Sequence, residues 1–136
     1  MNSAADEMRT SPRATPLILI VEDERELRQM YVLHLTMSGF EVIEAEDGAM
    51  AIAHTSERAP DAIVMDLSLP IVDGWEATRR IKEDARTSHI PILVLTAYDG
   101  AGELQRATEA GCDWFVPKPC PPDALATEVR RVLASR

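Results

Sequence analysis

The chain has 136 residues, enough for one well-packed domain but too few for two. Hydrophobic residues make up 46% and charged residues 27% of the sequence, which is typical of a globular protein rather than a disordered or fibrous one. The formal charge of -9 comes from 14 Lys and Arg against 23 Asp and Glu, and it disfavours direct binding to nucleic acid or to an anionic membrane.

The first 16 residues mix polar, charged and proline residues without periodicity, so we expect a disordered tail at 1–16 and one domain at 17–136. This segment lacks the apolar core of a signal peptide, and no apolar run approaches the ~18 residues of a membrane span. Cys112 and Cys120 have no Cys or His at ligand spacing, which predicts reduced thiols rather than a disulfide framework or a zinc site. The cytoplasm is the expected location, with no membrane insertion.

The first predicted strand is the aliphatic run Leu17–Val21, which is followed at once by three carboxylates at 22–24. A helix is predicted from Glu24 to Ser38, with Asp23 as its N-cap and Gly39 as its end. Its core-facing residues, at three- and four-residue steps, are predicted to be Leu27, Met30, Tyr31 and His34.

A second strand and a second helix are predicted at Phe40–Ala45 and Met50–Arg58. The third strand lies in the run A-I-V-M-D-L-S-L at 62–69, which is aliphatic enough to be covered on both faces and is ended by Pro70. Asp66 falls at the C-terminal end of this strand. Ligands bind at that end of the strands in open parallel sheets, so Asp66 is a candidate for chemistry.

The rest of the chain continues the alternation of strands and helices. The predicted elements are a helix from Gly74, a strand at Ile90–Leu95, a helix at Gly100–Gly111, a strand at Asp113–Val116 and a helix at Pro122–Ala134. Five strands alternating with five helices predict an α/β fold with a doubly wound parallel sheet, right-handed crossovers and helices on both faces.

Polar groups follow four of the predicted strands and should meet at one edge of the sheet. They are Glu22 and Asp23, Asp66, Thr96 and Lys118. Three converging carboxylates repel one another unless one is protonated or a metal ion lies among them. Mg²⁺ is commonly held by one or two carboxylates and a phosphate, so Asp23 and Asp66 predict a magnesium site. The Lys118 ammonium and the Thr96 hydroxyl are suited to phosphoryl oxygens.

Five short motifs lie on these elements: V-E-D-E at 21–24, M-D-L-S-L-P at 65–70, D-G at 73–74, L-T-A at 95–97 and K-P at 118–119. Together they make the chain, over about Leu17 to Ala134, resemble the receiver domain of bacterial response regulators. The resemblance implies a flavodoxin-like or CheY-like fold with strand order 2-1-3-4-5. It also implies a stand-alone protein of two-component signal transduction that acts as a switch rather than as an enzyme.

By this resemblance, Asp66 is expected to accept a phosphoryl group from a sensor histidine kinase, a histidine phosphotransfer protein or a small phosphodonor. The residues expected to bind Mg²⁺ (or Mn²⁺) are Glu22, Asp23, Asp66 and, through its backbone carbonyl, Ser68. Glu22 stands where many relatives have Asp, and it is expected to act through a water. The groups expected to bind the phosphoryl oxygens are Thr96, Lys118 and the backbone N–H groups of Leu67 and Ala97.

The resemblance also implies how the switch works. Thr96 is expected to shift towards the phosphoryl group while Phe115 turns inward into the vacated space. The peptide bond before Pro119 is expected to be cis, and Ser68 and Tyr98 are expected to tune the phosphoryl lifetime. The altered surface would lie near the fourth helix, fifth strand and fifth helix, where a downstream protein target or a second copy in a homodimer would bind.

Three other interpretations remain open. A small-molecule phosphatase working through an aspartyl-phosphate would need a second acid two residues after the nucleophile, where Ser68 stands, and an inserted cap. A flavin or nucleotide carrier would need a phosphate-binding loop after the first strand, where the acids at 22–24 would repel a phosphate. An unphosphorylated scaffold with the receiver fold is disfavoured by the presence of Asp66, Thr96 and Lys118.

Overall fold

The computed structural model of the protein describes residues 14–96 and 101–136, without side-chain detail at 101–104 and 107. Most of the predicted tail at 1–16, together with Ala97 and Tyr98, therefore lies outside the described residues. The strands are β1 (Leu17–Val21), β2 (Glu41–Ala45), β3 (Ala62–Asp66), β4 (Ile92–Thr96) and β5 (Trp114–Pro117). The helices are α1 (Arg25–Met37), α2 (Gly48–Arg58), α3 (Gly74–Glu83), α4 (Ala101–Ala110) and α5 (Pro122–Ser135).

The strands form one parallel sheet in the order β2-β1-β3-β4-β5. This arrangement confirms the predicted doubly wound α/β fold and its strand order. No helix within residues 14–96 or 101–136 is both long enough and apolar enough to cross a membrane.

Helices cover both faces of the central strands, which explains why these strands are aliphatic without alternation. Every residue of β1, β3 and β4 is buried. On one face the core contains Leu35 of α1 and Val129 of α5, and on the other it contains Ala51 of α2 and Ile81 of α3. Full burial of each Leu, Ile or Val side chain stabilises the fold by about 1.5–3 kcal/mol.

The buried face of α1 differs from the predicted one. Its buried residues are Arg28, Tyr31 and Leu35, whereas Met30 is 42% exposed. The predicted face therefore missed Leu35 and also Arg28, because a charged residue was not expected to face the core. The predicted N-cap was also wrong: Glu24 is the N-cap residue, and its side chain makes no capping hydrogen bond.

The order of the strands places a crevice between β1 and β3. The chain leaves β1 towards β2 on one side and leaves β3 towards β4 on the other. Loops at the C-terminal ends of β1 and β3 therefore diverge, and side chains that follow these strands face a common opening. Val21 pairs in register with Met65, so the next residues, Glu22 and Asp66, lie side by side at this opening.

Candidate functional site

Three carboxylates converge at the C-terminal edge of β1 and β3. One ligand oxygen from each of Glu22, Asp23 and Asp66 lies within 4.8 Å of the others. Glu22 and Asp66 are buried, whereas Asp23 is exposed. A group of this kind combines two desolvated acids with one that reaches solvent, so an ion can enter from the side of Asp23.

Lys118 reaches across the sheet edge from the loop after β5 to the two buried acids. Its Nζ lies 3.2 Å from Asp66 Oδ1 and 3.5 Å from Glu22 Oε1. The Lys118 N–H donates to the Thr96 carbonyl oxygen at 2.6 Å, and the Lys118–Pro119 peptide bond is cis. The ammonium therefore partly neutralises the carboxylates and is held close to Asp66.

The electrostatics of this cluster raise the pKa of Glu22 when no cation is bound. Burial, and to a lesser extent the neighbouring Asp66, raises the pKa of Glu22 to about 7, against the opposing effects of the Glu24 N–H and Lys118. Burial acts to lower the pKa of Lys118, but Asp66 and Glu22 outweigh it and the pKa is raised. Lys118 thus stays charged at neutral pH, while Glu22 is poised to exchange its proton.

The donor set fits a hard divalent cation. All three side chains offer carboxylate oxygens, which Mg²⁺ and Mn²⁺ accept as ligands. A bound cation would replace the proton on Glu22 and relieve the repulsion between the acids. Ser68, whose carbonyl is the expected fourth ligand, follows closely and donates its N–H to Asp66 Oδ1 at 3.3 Å.

The remaining predicted residues lie on β4, on β5 and in the loop after β3, at different depths. Thr96 ends β4, the strand next to β3, and is buried. Leu67 is buried directly after Asp66, while Ser68 is exposed. Phe115 is half-buried in β5, pairs in register with Val94 and packs against the core on the α2 and α3 side. Ala97 and Tyr98 lie outside the described residues.

Close packing fixes the loop that follows Asp66. The Gly74 N–H donates to the Leu67 carbonyl at 3.1 Å, and a Cβ on Gly74 would lie 2.6 Å from Leu67 Cα and closer still to the Asp66 carbonyl oxygen. Asp73 caps α3 by accepting from the Glu76 N–H at 2.9 Å. The D-G motif at 73–74 thus starts α3 directly against the backbone of Asp66.

Two residues of α1 make hydrogen bonds to the loops that carry the site residues, and the sequence did not indicate them as part of the site. Arg28 donates to the Glu22 carbonyl, and the Tyr31 hydroxyl donates to the Cys120 carbonyl at 2.9 Å, in the loop that carries Lys118. Their three-residue spacing on a helix that starts at the acidic loop was the available signal. It was missed because an arginine was not counted as a core-facing residue.

Comparison with known proteins identifies similar sequences. Residues 18–130 match the family model described as the response regulator receiver domain. The chain is 40% identical over 116 residues to the phosphate regulon transcriptional regulatory protein PhoB of Pseudomonas aeruginosa, an alignment that covers 85% of this chain and 51% of PhoB. The chain thus spans about half the length of the curated relatives it matches.

Solved structures share the fold over nearly their whole length. The chemotaxis protein CheY4 of Vibrio cholerae superposes with a TM-score of 0.83 at 29% identity, covering 88% of this chain and 99% of CheY4. The receiver domain of the sensor histidine kinase PA1611 of Pseudomonas aeruginosa superposes with a TM-score of 0.82 at 30% identity, covering 89% and 99%. That structure is described with a magnesium ion coordinated in its active site cleft.

Proposed function

This chain belongs to the response regulator receiver domain family, and on that premise we propose that it is a phosphorylation switch whose acceptor is Asp66. The observation that carries the proposal is the position of Asp66, buried between Glu22 and Lys118 at the crevice between β1 and β3. The donor would be a sensor histidine kinase or a histidine phosphotransfer protein, and the protein would act in the cytoplasm.

The proposed reaction is transfer of a phosphoryl group to a carboxylate. An Asp66 oxygen attacks phosphorus, an acyl phosphate bond forms, and the bond from phosphorus to the donor's imidazole nitrogen breaks as the imidazole leaves with the electron pair. Lys118 lies 3.2 Å from Asp66, where its ammonium can bind a phosphoryl oxygen of the product. The Thr96 hydroxyl and the backbone N–H groups of Leu67 and Ala97 are the proposed further donors.

Glu22, Asp23, Asp66 and the Ser68 carbonyl are the residues that would hold Mg²⁺ (or Mn²⁺). The bound ion would supply positive charge that stabilises the phosphoryl oxygens during transfer. Glu22 and Asp23 would also keep the ion beside the acceptor, because their carboxylates lie within 4.8 Å of that of Asp66. The protein would catalyse only its own phosphorylation and dephosphorylation.

The output of the switch would be a changed protein surface. Phosphorylation would move Thr96, and Phe115 would follow, altering the surface of α4, β5 and α5 where a downstream protein or a second copy binds. Ser68 and Tyr98 would set the phosphoryl lifetime. Thr96 lies in the strand beside Phe115, since Thr96 pairs with Pro117 and Val94 with Phe115, and this proximity supports their coupling.

The test is intact mass after incubation with acetyl phosphate, with Mg²⁺ and with a chelator instead. The wild type is expected to gain one phosphoryl group, about 80 Da, only with Mg²⁺. Asp66→Asn should gain none, while Asp84→Asn, which changes a partly exposed carboxylate paired with Arg86, should behave as the wild type. No gain in the wild type from acetyl phosphate or from a phosphorylated histidine phosphotransfer protein would instead support the unphosphorylated scaffold.

A further inference from the structure

Arg28 is a charged residue on the buried face of α1. Its side chain is only 10% exposed and lies on the same buried face as Tyr31 and Leu35, one turn before Tyr31. Its Nη1 donates to the Glu22 carbonyl oxygen at 2.9 Å, and its Nε donates to Glu44 Oε1 at 2.8 Å. The guanidinium thus joins the acidic loop after β1 to strand β2.

Packing alone does not account for an arginine at this position. Taking a guanidinium out of water is unfavourable, and an aliphatic side chain of similar volume is often as stabilising or more so. The other buried side chains of α1, Tyr31 and Leu35, belong to the apolar core. What Arg28 adds is two directed hydrogen bonds, one of them to the backbone of a proposed metal ligand.

The contacts of Arg28 complete the fixation of Glu22. The Glu22 N–H donates to the Ala45 carbonyl at 3.0 Å, so β2 holds the nitrogen side of this residue. Arg28 holds its carbonyl, and the Glu24 N–H donates to Glu22 Oε2 at 3.1 Å. Without Arg28, the carbonyl side of Glu22 and the following Asp23 would lose their tie to the sheet.

We propose that Arg28, oriented by Glu44, is a positioning residue that holds Glu22 and Asp23 in the geometry that binds the divalent cation. Because Glu22 and Asp23 are proposed ligands, this role rests on the proposed function. An arginine suits it because a planar guanidinium presents donors to two acceptors at fixed angles, whereas a lysine offers a single flexible ammonium. Residues that orient metal ligands typically change metal affinity by about 10–100-fold when removed.

The chain offers a matched control at the opposite edge of the sheet. Lys82 is 14% exposed, and its Nζ donates to the carbonyls of Ser88 and Ile90 and pairs with Asp113 at 2.6 Å. Like Arg28, it is a largely buried cation that joins backbone carbonyls to a carboxylate. Lys82→Met therefore removes a similar set of interactions away from the carboxylate cluster.

The experiment compares wild type, Arg28→Met, Arg28→Lys, Glu44→Gln and Lys82→Met. Calorimetric titration measures the affinity for Mg²⁺, and thermal unfolding measures stability. Hydrogen exchange of the metal-free protein measures how readily the backbone of the acidic loop after β1 opens. Arg28→Met is expected to bind Mg²⁺ at least about tenfold more weakly and to exchange the Glu24 amide about tenfold faster. Arg28→Lys and Glu44→Gln should give Mg²⁺ affinities and Glu24 exchange rates between those of the wild type and Arg28→Met. Lys82→Met should lose stability but keep the wild-type Mg²⁺ affinity and Glu24 exchange rate.

Equal Mg²⁺ affinity and equal Glu24 exchange in Arg28→Met and Lys82→Met would show that Arg28 is merely structural. If Arg28→Met does not fold, the test rests on Arg28→Lys and Glu44→Gln. Wild-type Mg²⁺ affinity and wild-type Glu24 exchange in both of these variants would overturn the proposal. Failure of the proposed function is distinguishable, because exchange in the metal-free protein is measured without phosphorylation. A wild type that binds Mg²⁺ but accepts no phosphoryl group would refute the switch and leave the role of Arg28 standing.

Discussion

Replacing Gly74 by alanine is expected to damage the acceptor site through one methyl group. Gly74 opens α3 directly against the acceptor strand, and its added Cβ would lie 2.6 Å from Leu67 Cα and 3.1 Å from the Asp66 carbonyl carbon. These are backbone atoms of a buried strand end, so no flexible side chain can move aside. Either α3 shifts outward or the backbone at Asp66 is displaced from its place beside Lys118.

The size of the expected losses in stability and in phosphorylation rate follows from the close packing around Gly74. Forcing a methyl group into a close-packed site typically costs about 1–3 kcal/mol, and here the clash is with backbone atoms of Asp66 and Leu67. Displacing a reacting group by about 1 Å can lower its reaction rate about 100-fold. We therefore expect Gly74→Ala to lose at least about 2 kcal/mol of unfolding free energy and to accept phosphoryl groups from acetyl phosphate far more slowly.

Gly39→Ala provides the control for this prediction. Gly39 has a φ of 97°, which disfavours alanine, but its added Cβ would meet no atom within 4 Å. This variant should lose about 1–2 kcal/mol through backbone strain alone and still be phosphorylated at the wild-type rate when folded. Denaturant unfolding and the time course of intact mass measure both quantities. A Gly74→Ala protein with wild-type stability and wild-type phosphorylation rate would refute the steric reasoning.

Four further outcomes are expected. The Mg²⁺ affinity should rise between about pH 6 and pH 8, because the raised pKa of Glu22 leaves it protonated at the lower pH; calorimetric titrations check this, and the same rise in Glu22→Gln would contradict it. In the metal-free protein, the stability that comes from the raised pKa of Glu22 should be fully present below its ordinary pKa of 4.5 and lost as the pH rises through about 7. The unfolding free energies of wild type and Glu22→Gln, measured in urea across this range, should therefore diverge. Lys118→Met should lower the unfolding free energy in chelator by about 1–3 kcal/mol, since the buried carboxylates of Glu22 and Asp66 lose their partner. Mg²⁺ should then stabilise Lys118→Met more than it stabilises the wild type, and equal stabilisation of the two proteins would count against this reasoning. Ile71→Gly should raise the unfolding free energy by roughly 0.5–1 kcal/mol, because an isoleucine at φ 67° is strained and its side chain is 82% exposed; a less stable variant would show that the loop relies on that side chain.

The parts of the fold that were predictable depend on local sequence. The runs at Leu17–Val21 and 62–65 are apolar at successive positions, as in a strand that is covered on both faces. Strand ends were visible because polar or proline residues follow each run. The alternation of these strands with helices then left a parallel sheet as the simplest arrangement, with Glu22, Asp66 and Thr96 at one edge.

The site could be predicted as a set of residues but not as a geometry. A carboxylate at a strand end has the same sequence signature whether or not it is buried, so the raised pKa of Glu22 required the surrounding atoms. Lys118 is 52 residues beyond Asp66 in the chain, and its 3.2 Å approach depends on β5 lying at the far side of β4. The five motifs indicated the family because their order along the chain can be read from the sequence alone.

The sequence by itself determined which segments are strands, which edge carries the acids and which residue types meet there, because these follow from hydrophobic periodicity and from the direction shared by parallel strands. Only the tertiary structure decided that Arg28 faces inward and Met30 outward, and that Gly74 lies against the backbone of Asp66. The physical reason is that a buried polar group is tolerated only where partners from other segments satisfy it. For Arg28 those partners are the Glu22 carbonyl and Glu44, which come together only when β1, β2 and α1 have packed.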